Sequence, residues 1–297
     1  MDNIGLGTSN LEYYRDKDFD FKESLKYAII NIGYRTIDTA SSYNNEELIG
    51  EVLQEIFNDL SLNIKREDIF IITKNWNDER ENVEEALKQS LKKLKLDYVD
   101  LYLLHHPMTV ELKKNTNKIL RLPLHNIWGQ METCVTKKLC KEIGTSNFNC
   151  QIIMDLLTYA NIKPSYNQIE VHPYLNQIEF IEFLNRFNIK VIAYCPLARG
   201  EWLAERNNTD LLKEPIIIEL AKKYEKTTAQ ICLKWGLQHG YNIIPRSSKI
   251  NRLKENFKCT DFFIEENDMQ NINSLNKNFR IVDIVELKNE CNIPLFK

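Results

Sequence analysis

Five features are missing from this sequence, and each absence removes a class of function. There is no charge excess: 39 basic side chains against 42 acidic ones give a formal charge of −3, which draws neither nucleic acid nor an anionic membrane surface. Any anion site must therefore be local. There are no paired cysteine spacings: Cys134, Cys140, Cys150, Cys195, Cys232, Cys259 and Cys291 include no CxxC or other zinc-ligand pattern, so reduced thiols and no resident metal are expected. No stretch reaches the ~18 consecutive apolar residues of a membrane span. The opening "MDNIGLGTSN" has neither the basic flank nor the apolar run of a signal peptide, and a cytoplasmic protein is expected. Finally, no complete glycine-rich dinucleotide loop is present: "GLGTSN" at 5–10 begins Gly-x-Gly but has no third glycine and opens no helix, which suits a strand and turn better.

Internal repeats, Gly/Ser linkers and composition shifts are also absent, so residues 1–297 read as a single domain. Short apolar runs alternate with amphipathic segments along it. Eight runs have strand character: "IGLG" (4–7), "YRTID" (34–38), "IFIIT" (69–73), "VDLYLL" (99–104), "KEIGT" (141–145), "SYNQIE" (165–170), "KVIAY" (190–194) and "YNIIP" (241–245). Helical periodicity appears between them, as in Leu25, Ala28, Ile29 and Ile32, and further helices are predicted at about 46–57, 83–94, 127–140, 149–160, 177–187, 215–225, 227–239 and from about 250. Strands alternating with helices imply parallel pairing and right-handed crossovers, and eight such units make an α/β (β/α)8 TIM barrel. The least periodic stretches are 109–126, read as a long loop after the fourth strand, and 280–297, read as a C-terminal tail.

In such a barrel the residues just after each strand converge on one rim. Here they are Asp38 and Tyr43, Lys74, His105 and His106, Ser146 and Asn147, Gln168 and His172, Tyr194, and Arg246 with Ser247. A phenol of pKa ~10 donates a proton near neutral pH only if the phenolate is made less costly. Lys74 is placed to do so, Asp38 to hold Lys74, and His105 to orient a substrate oxygen, which suits carbonyl reduction opposite a hydride source. Arg246, Ser247 and Arg252, in "IPRSSKINRLKENF", lie before or at the start of a short helix. They suit either a phosphate monoester or a solvated basic helix start.

From Ile4 to about Phe279 the chain resembles the aldo-keto reductase family. "GYRTIDTASSYNNEELIG" resembles its Asp-and-Tyr signature, "IITKNW" its lysine strand, "DLYLLHHP" its histidine strand, "IGTSNF" and "NQIEVHPY" its carboxamide-binding turns, and "IIPRSSKINRLKEN" its NADP-phosphate segment. The resemblance implies NADPH-dependent reduction of aldehydes and ketones, with Asp38, Tyr43, Lys74 and His105 as the catalytic tetrad and Tyr43 as proton donor. It assigns the nicotinamide carboxamide to Ser146, Asn147 and Gln168, and ring stacking to Tyr194. Cys195 and Leu197 fall in the loop over the pyrophosphate, Arg246, Ser247 and Arg252 at the 2′-phosphate, and Glu255 with Asn256 near the adenine. Trp76 and His106 are placed in the substrate pocket. A monomer acting on a small carbonyl compound is implied; the alternative is a non-catalytic NADP(H)-binding sensor of the same fold.

Several positions depart from the family pattern. Arg246 stands where many relatives have lysine, Cys195 where serine is common, and His106 where tryptophan is frequent; the usual N-terminal hairpin is not found before Ile4. His106 makes that wall smaller and more polar, from which a small polar aldehyde is expected. Substrate choice is assigned to 109–126, to the region around 199–212, and to 280–297.

Overall fold

The computed structural model describes residues 1, 3–9, 20–108, 110–113, 116–119, 121–199 and 210–282. Eight parallel strands form the central sheet: β1 (Leu6–Gly7), β2 (Thr36–Asp38), β3 (Phe70–Asn75), β4 (Val99–Leu104), β7 (Cys140–Ser146), β8 (Tyr166–Glu170), β9 (Lys190–Tyr194) and β10 (Asn242–Ile243), hydrogen-bonded in that order. The first and last strands then meet. Gly5 N donates to Ile243 O (2.8 Å), Gly7 N to Pro245 O (3.1 Å) and Ile243 N to Asn3 O (2.8 Å), closing a (β/α)8 barrel. Gly7 permits this seam, since a Cβ there would come within 2.9 Å of Ile244 O.

All eight strands coincide with those read from the sequence. Their alternation sorts two cores. Outward residues such as Ile37, Ile71, Tyr102 and Ile143 join the helices in one large cluster, while Ile72, Leu101, Leu103, Tyr166, Ile192 and Ile244 form a small apolar cluster of their own inside the barrel. Two residues beyond an interior apolar side chain, and so on the same face, stand Lys74, His105, Gln168, Tyr194 and Arg246. The period that builds the floor thus also delivers the reactive groups to the rim.

Helices Glu46–Asn58 and Val83–Leu94 show how the outer layer is tied on. Glu46 is buried (1% exposed) and accepts from Thr73 Oγ1 (2.7 Å) and Ser90 Oγ (3.1 Å), linking both helices to β3. Two readings shift. Residues 110–119 are not a plain loop: β5 (Val110–Lys113) and β6 (Thr116–Ile119) pair antiparallel. The next helix runs Leu124–Thr136 rather than 127–140, because Pro123 presets the backbone at its start and Lys138, at φ 59°, ends it with Leu139 N bonded back to Cys134 O. Trp128 and Trp235 lie in the core. Trp202, Cys291, most of the loop around 199–212 and the tail beyond 282 lie outside the described residues. None of the described helices is long and apolar enough to cross a membrane.

Candidate active site

Asp38 and Lys74 end neighbouring strands and face each other across the barrel interior. Lys74 Nζ sits 2.7 Å from Asp38 Oδ1 and donates to Thr39 O at 2.7 Å, with Lys74 0% and Asp38 2% exposed. The second carboxylate oxygen, Oδ2, accepts from Gln168 Nε2 at 2.7 Å, a bond between residues 130 apart in sequence. Burial lowers the pKa of Lys74, and the charge and hydrogen bond of Asp38 oppose that.

Tyr43 follows β2 in a short 3-10 turn (Ser41–Tyr43), after which Asn44 takes a left-handed conformation, φ 55°. Its ring centroid lies 4.9 Å from Lys74 Nζ and 5.8 Å, edge-on, from the His105 ring. Burial pushes the phenol well above its ordinary pKa, Asp38 and Cys195 add to this, and the positive charges of Arg199 and Arg246 oppose it. Tyr43 therefore stays protonated at neutral pH. His105 is neutral too: burial first, then His106, Lys74 and Arg80, hold its pKa well below the ordinary value. The His106 ring stacks on His105, centroids 4.8 Å apart and planes within 5°, and Trp76 stands edge-on to both.

The next group is interlocked with this one. Asn147, at φ 63°, donates from Nδ2 to His105 O (2.9 Å) and Ser146 Oγ (3.2 Å), and its Oδ1 accepts from Tyr194 OH (2.7 Å). Ser146 Oγ donates to Gln168 O at 2.9 Å. Asparagine tolerates the left-handed region better than most residues, which suits this turn. Gln168 spends Nε2 on Asp38, and its Oε1 carries no hydrogen bond among the described residues, so it remains an acceptor for an amide N–H.

After β9 the backbone is unusual. Cys195, Ala198 and Arg199 have φ of 50°, 51° and 56°, a cluster of left-handed non-glycine residues of the kind found at ligand clamps. Leu197 is half-buried against the main core. Arg246 and Ser247 leave β10 half-buried, and Arg252 is exposed in the helix Ile250–Phe257. Asn256 is buried on that helix, and Glu255 is tied sideways, accepting from Thr227 Oγ1 at 2.8 Å. The opposite end of the barrel has a recess of about 380 Å³ lined by Asn3, Lys190, His239 and Asn242, which contains none of this set.

Two residues escaped sequence reading. Arg199 acts electrostatically on Tyr43, Tyr194 and Cys195; its position just after a barrel strand was the available signal. Glu170, 0% exposed, accepts from His172 Nε2 (2.9 Å) and from the backbone N–H groups of Ile281 (2.7 Å) and Val282 (2.8 Å). Nothing in the strand "SYNQIE" announces backbone partners so distant.

Known proteins resemble this chain over nearly its whole length. The model of the Aldo/keto reductase family matches residues 3–277. Aldose reductase B of Dictyostelium discoideum is 40% identical, covering 99% of this chain and 94% of that protein. The NADP-dependent D-sorbitol-6-phosphate dehydrogenase of Malus domestica is 38% identical over 94% of this chain and 92% of its own length. Among solved structures, the aldose reductase from Schistosoma japonicum superposes with a TM-score of 0.88 at 34% identity, covering 100% of this chain and 95% of that one. With a closed barrel, a buried Asp–Lys pair against a tyrosine, and a family match across nearly its whole length, the chain belongs to the aldo/keto reductase family, oxidoreductases that act on carbonyl compounds.

Proposed function

We propose that this protein reduces aldehydes and ketones to alcohols with NADPH, and that Tyr43 donates the proton. The observation that carries the reading is the buried Asp38–Lys74 pair set against the Tyr43 ring, with the His105 ring edge-on to it. NADPH, when bound, supplies the hydride. Tyr43 gives its phenolic proton to the carbonyl oxygen, and the phenolate left behind faces Lys74, with Arg199 and Arg246 adding positive potential. Asp38 keeps Lys74 charged and in place, and Gln168 holds Asp38. Neutral His105 hydrogen-bonds the same oxygen and orients it. Trp76 and His106 wall the substrate space.

The residues present fit the cofactor. Two guanidiniums and a hydroxyl, Arg246, Arg252 and Ser247, are the donor set a phosphate monoester requires, and Arg246 is held in common with the Tyr43 environment. Gln168 Oε1 is open to a carboxamide N–H, in a frame fixed by Ser146 and Asn147. Tyr194 is assigned to the nicotinamide face, the Cys195–Leu197 turn to the pyrophosphate, and Glu255 with Asn256 to the adenine side. The test is NADPH consumption by the purified protein with a panel of aldehydes and ketones, with NADH in parallel. Turnover with NADPH preferred supports the reading. NADPH binding without reduction of any carbonyl would overturn it in favour of a cofactor sensor.

A further inference from the structure

Among the described residues Arg80 is the largest charged side chain to be fully enclosed. It is 1% exposed, in the 3-10 turn Asn77–Asn82 between β3 and the helix Val83–Leu94. Burial lowers its pKa to about 10, so it is charged at neutral pH. Yet it forms no ion pair with a described carboxylate. Its neighbour Glu79 is engaged elsewhere, Oε2 accepting from Ser41 Oγ (2.8 Å) and Trp76 N (2.7 Å), and Asp78 is exposed. Arg80 Nε, also enclosed, has no hydrogen-bond partner among the described residues. A buried cation without a counter-charge is among the costliest groups an interior can hold. Such violations belong where function uses them.

The guanidinium bonds to backbone instead. Nη2 donates to His106 O at 2.9 Å and, more weakly, to Asn75 O at 3.4 Å. Asn75 O also accepts from His105 N at 3.2 Å, and His105 O accepts from Asn147 Nδ2 at 2.9 Å. One side chain thus ties the exit of β3 to the exit of β4, and the backbone around His105 is held on both sides. Arg80 is the only charged member of that set. Burial is the largest influence keeping His105 and His106 neutral, and the Arg80 charge reinforces it at both, second only to burial at His106.

Building on the reductase reading, in which His105 orients the reacting carbonyl oxygen, we propose that Arg80 is a positioning residue for that step: its guanidinium sets the backbone from which His105 projects and adds a fixed positive charge to the surroundings of the ring. It acts through His105 rather than on the substrate. Orientation by a hydrogen bond depends on small displacements of the donor, so loosening the His105 backbone costs rate even where the fold survives. The role has a signature that packing lacks. Removing Arg80 matters only while His105 is there to be positioned, and removing an uncompensated charge spares stability more than removing a paired one would.

The experiment is a double-mutant cycle on kcat/KM for benzaldehyde, or the best carbonyl of the panel, with NADPH: wild type, Arg80→Met, His105→Phe and the double variant. Arg80→Met should lower kcat/KM about 10-fold or more in the otherwise wild-type chain, and no more than about 2-fold once His105 is Phe. The NADPH dissociation constant should stay close to that of the wild type, and Arg80→Lys, which keeps the charge and an N–H donor, should recover part of the loss. If Arg80→Met does not fold, Arg80→Gln takes its place in the cycle. An equal fold-loss in both backgrounds, tracking a fall in the urea midpoint, makes Arg80 a packing residue and overturns the proposal while the reductase reading stands. A wild type that reduces neither benzaldehyde nor any other carbonyl overturns both.

Discussion

Asp38 and Glu170 end two strands of one barrel, are 2% and 0% exposed, and do opposite things. Asp38 spends its two oxygens on the Lys74 ammonium and the Gln168 amide, two side chains at the rim of the barrel. Glu170 spends its own on the His172 ring and two backbone N–H groups more than 110 residues onward, at Ile281 and Val282. Burial raises the pKa of Glu170, but His172 and those amides outweigh it and hold the carboxyl below its ordinary value. A buried carboxylate does chemistry when its partner is a charge that a reacting group can feel, and anchors chain when its partners are backbone.

The comparison breaks most visibly at Asp38. Asp38→Asn leaves the Lys74 ammonium buried without its counter-charge. It should cost about 3–5 kcal/mol in denaturant unfolding and at least roughly 100-fold in turnover. The double variant Asp38→Asn/Lys74→Met removes the orphaned charge, so most of the stability should return while turnover does not. Recovery of turnover along with stability would show that the pair is only structural.

Acid sharpens the contrast on the chemical side. His105 and His106 are neutral in the fold, with His106 down to about 3, whereas the unfolded chain protonates its histidines below about 6.5. Folded-state pKa values below the unfolded value mean that unfolding takes up protons. Stability present above pH ~6.5 is thus lost as the pH falls toward 3, at up to about 1.4 kcal/mol per pH unit for each histidine. Urea unfolding from pH 7 to 4.5 measures the slope, and His106→Phe should reduce it by one histidine's share, up to about 1.4 kcal/mol per pH unit.

At Glu170 the expected effect is smaller and of another kind. Glu170→Gln keeps hydrogen-bonding capacity but loses the charge, which should cost about 1–3 kcal/mol. It should speed amide exchange at Ile281 and Val282 while proton donation at Tyr43 proceeds. The least effect is expected at Cys195, whose thiol burial pushes up. Alkylation at neutral pH, followed by mass spectrometry, should label the exposed Cys150 well before it.

What the sequence discloses follows from its period. Along β3, β4, β8, β9 and β10, alternate positions carry an apolar interior residue and then a reactive one, so Ile72 with Lys74, Leu103 with His105, and Ile244 with Arg246 were legible as columns ending at a rim. The Tyr43 turn was legible from its motif. Glu170 was not, because its partners are amides with no side-chain signature. Nor was the β5–β6 pair, whose short segments "VELK" and "TNKI" are too polar to read as strands. The stacking of His106 on His105 was equally hidden, since adjacent residues along an ideal strand point to opposite faces, and it is the departure after Leu104 that brings both rings to one side.

The central claim is that Asp38 and Lys74 exist to serve a protonated Tyr43, and Tyr43→Phe tests it most directly. Carbonyl reduction and NADPH affinity should be measured side by side in the wild type and the variant. The account predicts turnover reduced by about 100- to 10,000-fold with an NADPH dissociation constant close to that of the wild type. Turnover that survives the loss of the hydroxyl would contradict it and move proton donation to another group on the rim.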